Sequence, residues 1–94
     1  MPYMPASSRE ELRVSWGPGL DGFPVQIAVV LETAGEPSDD DYHAASWAGE
    51  DAVLLIGAGS DVELAAGEYV VWTRLEAASQ QPVRRSGLLT VGTP

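Results

Sequence analysis

Apolar side chains recur at every second position along most of this chain, and no segment carries a convincing 3.6-residue spacing of an amphipathic helix. A strand points successive side chains to opposite faces, so this period predicts an all-β fold. Leu12, Val14 and Trp16 share one face of a first run, and Glu11, Arg13 and Ser15 the other. In 24–32, Val25, Ile27, Val29 and Leu31 alternate with Gln26, Ala28, Val30 and Glu32, a second face only half polar. Short strands follow at 43–48, which carries Trp47, and at 52–56, where Val53/Leu55 and Leu54/Ile56 are both apolar and the facing stays ambiguous. Val62 and Leu64 then alternate with Asp61 and Glu63. The clearest strand, 68–76, sets Tyr69, Val71, Thr73 and Leu75 against Val70, Trp72, Arg74 and Glu76, and 83–91 closes the series. Gly- and Pro-containing turns separate the runs, among them Gly17-Pro18-Gly19 and Gly57-Ala58-Gly59-Ser60. Seven short strands at intervals of about a dozen residues indicate a sandwich or a barrel.

One motif narrows the choice. Leu64-Ala65-Ala66-Gly67-Glu68-Tyr69 has the form Leu-x-x-Gly-x-Tyr ahead of an alternating strand. In immunoglobulin-like sandwiches a Tyr at this point returns its hydroxyl to the backbone upstream, the tyrosine corner. Leu64, Gly67 and Tyr69 are therefore expected to form a structural corner, with Gly67 permitting a sharp reversal. Val71 takes the position of the second Cys of antibody domains, and Trp47 and Trp16 are core candidates. The expected fold is an immunoglobulin-like or fibronectin-III-like sandwich of about seven antiparallel strands. Ninety-four residues suit one domain. Residues 1–8, with two prolines and no periodicity, read as a flexible arm, and 9–94 as the domain.

Charge and composition exclude several roles. The net charge is -9, from 14 acidic residues against five arginines and no lysine. Nucleic acid and anionic membranes require clustered cations, so neither is an expected partner. With no cysteine there is no disulfide, no thiolate nucleophile and no thiolate metal site. No apolar run approaches the ~20 residues of a membrane span, and the first residues lack the pattern of a secretory signal.

Little in the chain points to catalysis. His43 is the only histidine, and neither a Gly-x-Ser-x-Gly elbow nor a phosphate-binding glycine loop occurs. The expectation is a protein that is not an enzyme and has no cofactor. Asp39-Asp40-Asp41, with Glu36 and His43 near by, could be read as a calcium site. Three adjacent aspartates in an extended loop cannot all face one ion, so a solvated acidic loop over 36–41 is the favoured reading, with His43 a surface or capping residue.

A protein-binding surface is the better candidate. If Tyr69 and Val71 face the core, Val70, Trp72 and Arg74 lie on the outside of the sheet, and Arg84 can join them from the neighbouring strand. Trp beside Arg with an aliphatic flank is the composition of an interface hot spot. Two alternatives remain open: a loop or the N-terminal arm folds over Trp72, or a Trp72–Arg84 stack merely covers the sheet.

Three segments together carry a family likeness: Asp-Asp-Asp-Tyr-His-Ala-Ala-Ser-Trp (39–47), Leu-Ala-Ala-Gly-Glu-Tyr-Val-Val-Trp-Thr-Arg (64–74) and Pro-Val-Arg-Arg-Ser-Gly-Leu-Leu-Thr-Val (82–91). They resemble small immunoglobulin-like virion proteins of tailed phages that infect actinobacteria, over roughly 25–91. The resemblance implies a structural protein of the virion, made in the host cytoplasm. It would decorate the capsid or join the head–tail region as a minor capsid protein, in many symmetric copies, with the major capsid protein or other virion proteins as partners. A tail or baseplate module, a carbohydrate- or cell-surface-binding domain, and an adaptor domain are the alternatives.

Overall fold

The structure is a computed structural model and describes residues 3–20, 22–77 and 79–92. It is all-β, with seven strands: β1 (Tyr3–Pro5), β2 (Arg9–Ser15), β3 (Val25–Leu31), β4 (Tyr42–Ala48), β5 (Asp51–Gly57), β6 (Gly67–Leu75) and β7 (Val83–Gly92). Two short 3₁₀ turns, Glu32–Ala34 and Asp39–Asp41, lie between β3 and β4. The strands pair in the order β1-β7-β6-β3-β4-β5-β2.

β4 is the hinge of this order. Its first half, from Tyr42 to Ala45, pairs with β3, and Ser46, Trp47 and Ala48 pair with β5. One strand thus passes from the β3-β6-β7 group to the β5-β2 group, and the two groups enclose the core between them. The inward rows are those the alternation predicts for most strands. Val25 and Ile27 of β3, Val71 and Leu75 of β6, and Leu89 and Val91 of β7 are all buried in one apolar cluster. On β5 the ambiguity resolves in favour of Ala52, Leu54 and Ile56. Ala52 and Ile56 are buried and Leu54 packs against the cluster, whereas Leu55 is half exposed. Leu12 and Val14 of β2 also pack inward, only partly buried because β2 is an edge strand.

Three expectations change. Residues 3–8 are not a free arm. Tyr3, Met4 and Pro5 run parallel to Thr90, Val91 and Gly92, Met4 is 2% exposed, and the Ala6 amide donates to Gly92 O at 2.7 Å. A single buried methionine is too short a signal for periodicity to register, yet it is enough to anchor three residues to a strand edge. Met1 and Pro2 lie outside the described residues. Secondly, that parallel pair makes the sheet mixed rather than antiparallel. Thirdly, 61–64 alternates without forming a strand. Val62 is buried and Leu64 packs on the core, but the backbone is held by a turn, with the Gly57 amide donating to Val62 O at 2.8 Å and the Val62 amide to Ser60 Oγ at 3.1 Å. Alternating burial fixes where side chains point and does not by itself supply a partner strand.

Candidate functional site

The tyrosine motif sits at the entry to β6. Tyr69 is buried, and its hydroxyl donates to Ala65 O at 2.8 Å, across the segment that leads into the strand. Leu64 packs against the core beside it. Gly67 plays a different part from the one expected. It has no positive φ and is the first residue of β6. A Cβ there would lie 3.4 Å from the Leu31 side chain and 3.6 Å from the Tyr69 ring, which is ordinary contact. The reversal is made by the residues before it.

The outward face of the β7-β6-β3-β4 group is filled by its own side chains. The register sets Val70 between Val30 and Leu88, Trp72 between Ala28 and Arg85, and Arg74 between Gln26 and Val83. Ala28 is fully buried between Trp72 of β6 and Tyr42 of β4, its two cross-strand neighbours. The turn Glu32–Ala34 packs on β6 and the turn Asp39–Asp41 on β3. As a result Val70 is 4% exposed and Trp72 only partly so.

Arg74 is the centre of this layer. Its side chain is 9% exposed. Nε donates to Gln26 Oε1 at 2.7 Å, Nη1 donates to Asp39 Oδ1 at 2.7 Å, and the guanidinium lies 4.0 Å from the centroid of the Tyr42 ring. Two neutral polar groups are enclosed with it, the Trp72 indole N–H and the Tyr42 hydroxyl, and neither has a hydrogen-bond partner among the described residues. Burial pushes the Tyr42 phenol above its usual range. The Arg74 charge acts the other way, and the carboxylates of Glu36, Asp39 and Asp41 add to the rise.

The four residues expected to form one interface therefore do not. Val70 and Arg74 are internal, and Trp72 is half-buried in the same layer. Arg84 is on the other side of the sheet. The register shifts between Val71 and Trp72, so Gly87 faces Val71, Arg85 faces Trp72 and Arg84 faces Thr73. Its guanidinium lies 4.1 Å from the Trp16 ring, whose indole N–H is buried without a partner among the described residues. Of the two open alternatives, cover from within the molecule describes Trp72, but its neighbour is Arg85 rather than Arg84. A glycine inside a strand is a bulge signal. Ser86-Gly87 is where strict alternation along 83–91 fails, and reading it so would have exchanged the two arginines. The partners Gln26 and Tyr42 carried no such signal, because their meeting depends on the β3–β4 register.

The acidic loop is bonded to the protein itself. Asp39 is taken by Arg74, and Asp41 Oδ2 accepts from the Ser38 amide at 3.0 Å and from its hydroxyl at 3.2 Å. Among the described residues no three His, Asp or Glu side chains are grouped as metal ligands. No helix among them is long and apolar enough to cross a membrane.

Trp47 packs on the core through its ring and donates from Nε1 to Phe23 O at 2.7 Å. Where β4 and β5 separate, a groove of about 420 Å³ is lined by His43, Leu54, Leu55, Ser60 and Asp61. Serine, histidine and aspartate at one groove suggest nucleophilic chemistry, but Ser60 is committed elsewhere. Its hydroxyl lies 2.7 Å from Gly57 O and 3.1 Å from Val62 O and accepts from the Val62 amide. No hydrogen bond joins it to His43 among the described residues. An activated nucleophile needs a base within hydrogen-bond reach, and the turn has used this hydroxyl instead. No protein family, curated protein or solved structure matches the chain.

Proposed function

We propose that this protein is a non-enzymatic structural component of a tailed-phage particle, an immunoglobulin-like sandwich that binds the capsid surface or the head–tail region. The strand pairing supports the fold. Immunoglobulin domains join their third, sixth and seventh strands in one sheet and their second, fifth and fourth in the other. Here β3-β6-β7 and β2-β5-β4 pair in those orders. The chain departs from the pattern where β1 pairs with β7 and where β4 spans both groups. The Tyr69–Ala65 hydrogen bond is the bond of a tyrosine corner.

The observation that carries the role is the likeness of 39–47, 64–74 and 82–91 to phage virion proteins, three segments that fall on β4, β6 and β7. The chemistry agrees with it. The groove that collects a histidine, a serine and an aspartate has its hydroxyl locked into a turn, and the net charge of -9 disfavours nucleic acid. A small acidic β domain can hold a place in an assembly by protein contacts alone.

Quantitative mass spectrometry of purified particles from the encoding phage tests the reading. It predicts the protein in a fixed stoichiometry to the major capsid protein, retained through density-gradient purification. Its absence from particles, with the protein present in the infected-cell lysate, refutes it.

A further inference from the structure

The pairing order has two ends, and one of them is only partly covered. β7 is joined to β6 along its length, but β1 reaches only Thr90, Val91 and Gly92. From Val83 to Leu89 the second edge of β7 has no strand partner among the described residues. β2, the other end of the order, pairs with β5 alone. β7 and β2 face each other across a seam, and at one end of it the chain itself crosses over, with Ala58 donating to Ser8 O and Ala6 to Gly92 O. Further along, the seam opens into a groove of about 190 Å³, with Leu12 and Val14 of β2 on one wall, Gly87 and Leu88 of β7 on the other, and Val71 at its base. Gly87 has φ +149 and nothing lies within 4 Å of where a Cβ would stand, so the bulged edge is sterically open.

This groove is smaller than the roughly 300 Å³ at which small-molecule sites begin, and its size suits a side chain or two. An exposed edge of unpaired N–H and C=O groups is a template for an added strand. Acidic residues outnumber arginines 14 to five. Arg84 and Arg85 are nevertheless both exposed, and neither has a carboxylate within 4.0 Å among the described residues. They occupy consecutive positions of the free edge, so they bracket it, Arg84 on the Thr73 side and Arg85 on the Trp72 side.

We propose that the free edge of β7 over 83–88 takes an extended, carboxylate-bearing segment of a partner protein as an added strand. The segment sets an apolar side chain into the groove and carboxylates against Arg84 and Arg85. This deepens the reading of the chain as a protein-binding module and rests on it. A strand alternates its side chains between two faces, so one segment can meet both arginines at once. Two arginines in a field of -9 are too few for nucleic acid and enough to select acidic over basic peptide.

The test is titration of ¹⁵N-labelled protein, at low salt, with a capped eight-residue peptide in which two adjacent Glu, one for each face, are flanked by alternating Thr and Val, and separately with the same peptide carrying two Lys in their place. The Glu peptide is expected to shift and protect amides in 83–88 and in the facing part of β2, and the Lys peptide to leave them unchanged. Arg85 is exposed, so Arg85→Glu is expected to leave the fold intact, checked by an unchanged amide spectrum outside the edge. It should weaken the Glu peptide about tenfold, and Arg84→Gln should weaken it less, roughly threefold. Four outcomes overturn the proposal: no shifts with the Glu peptide, equal response to both peptides, shifts centred elsewhere, or the same amides shifting with protein concentration alone, which would assign the edge to a second copy of this chain. Failure of the peptide with the protein still present in particles overturns this inference alone. Peptide binding with the protein absent from particles overturns only the virion assignment.

Discussion

Replacing Arg74 by methionine separates a structural arginine from a binding one. Methionine keeps most of the aliphatic stem and its packing while removing the guanidinium. Three contacts are lost. The hydrogen bond from Nε to Gln26 is charge-assisted and partly buried, a class worth about 1.5–3 kcal/mol. The stack on Tyr42 contributes about 0.5–2 kcal/mol. The ion pair with Asp39 is short, but the Asp39 side chain is 93% exposed, so solvent screens it to at most about 1 kcal/mol. Removing a buried charge also recovers its desolvation cost, which offsets part of the sum. The net expectation is a loss of about 2–4 kcal/mol, equivalent in a domain of this size to roughly 10–25 °C in Tm. Asp39→Ala should lose no more than about 1 kcal/mol, and that loss should fade in 1 M salt, where the screening length is only ~3 Å. Urea unfolding monitored by tryptophan fluorescence measures all of these, with an unchanged m-value required for the comparison. If Arg74→Met keeps its stability within about 0.5 kcal/mol while losing attachment to a partner, the guanidinium faces a ligand and the packing described for it is wrong.

Further consequences follow from the same contacts. Tyr69→Phe retains the ring in the core and deletes the bond to Ala65 O, and should cost about 1 kcal/mol by chemical denaturation; an unaltered midpoint would mean that the corner bond adds nothing. Tyr42 holds its proton more tightly in the folded state than in the unfolded chain. Its contribution is therefore constant below the unfolded pKa of about 10 and is lost as pH rises through the higher folded value. Wild type should lose stability above about pH 10 more steeply than Tyr42→Phe, and parallel pH profiles of the two would contradict the burial of this phenol. Gly57 ends β5 at φ +103, and a Cβ there would run into the Ser8 carbonyl oxygen. Gly57→Ala should cost more than about 3 kcal/mol, from backbone strain and displacement of the β1–β2 crossing, whereas alanine at Gly67 should be tolerated within about 1 kcal/mol.

The inward rows of β2, β3 and β6 were legible because each strand has one face on the core, and a one-residue slip would expose the whole apolar set. The hydrogen bond from the Tyr69 hydroxyl was legible for a related reason, since its donor and acceptor lie four residues apart and the bond is local. Readings failed where the deciding partner was distant in sequence. Val70, Trp72 and Arg74 were correctly placed on the outward face, but alternation cannot show that Tyr42, Gln26 and the 32–41 segment cover it. Met4 and its two neighbours gave no period, and only β7 reveals that they form a strand. The segment 61–64 gave a period without a partner.

By itself the sequence determined an all-β chain, the direction of most side chains, and a strongly acidic surface with no cysteine chemistry. These follow from period, local spacing and composition, which need no knowledge of what lies across a sheet. Tertiary structure decided which strands meet, and through that which cations are engaged. The β3–β4 and β3–β6 registers bring Asp39, Gln26 and Tyr42 around Arg74 and withdraw it from the surface. The bulge at Ser86 turns Arg84 to Trp16 and Arg85 to the opposite face, on an edge that β1 is too short to cover. Register is a pairwise property of two strands, set by the packing of both, so the faces to which Arg84 and Arg85 turn had to come from the fold.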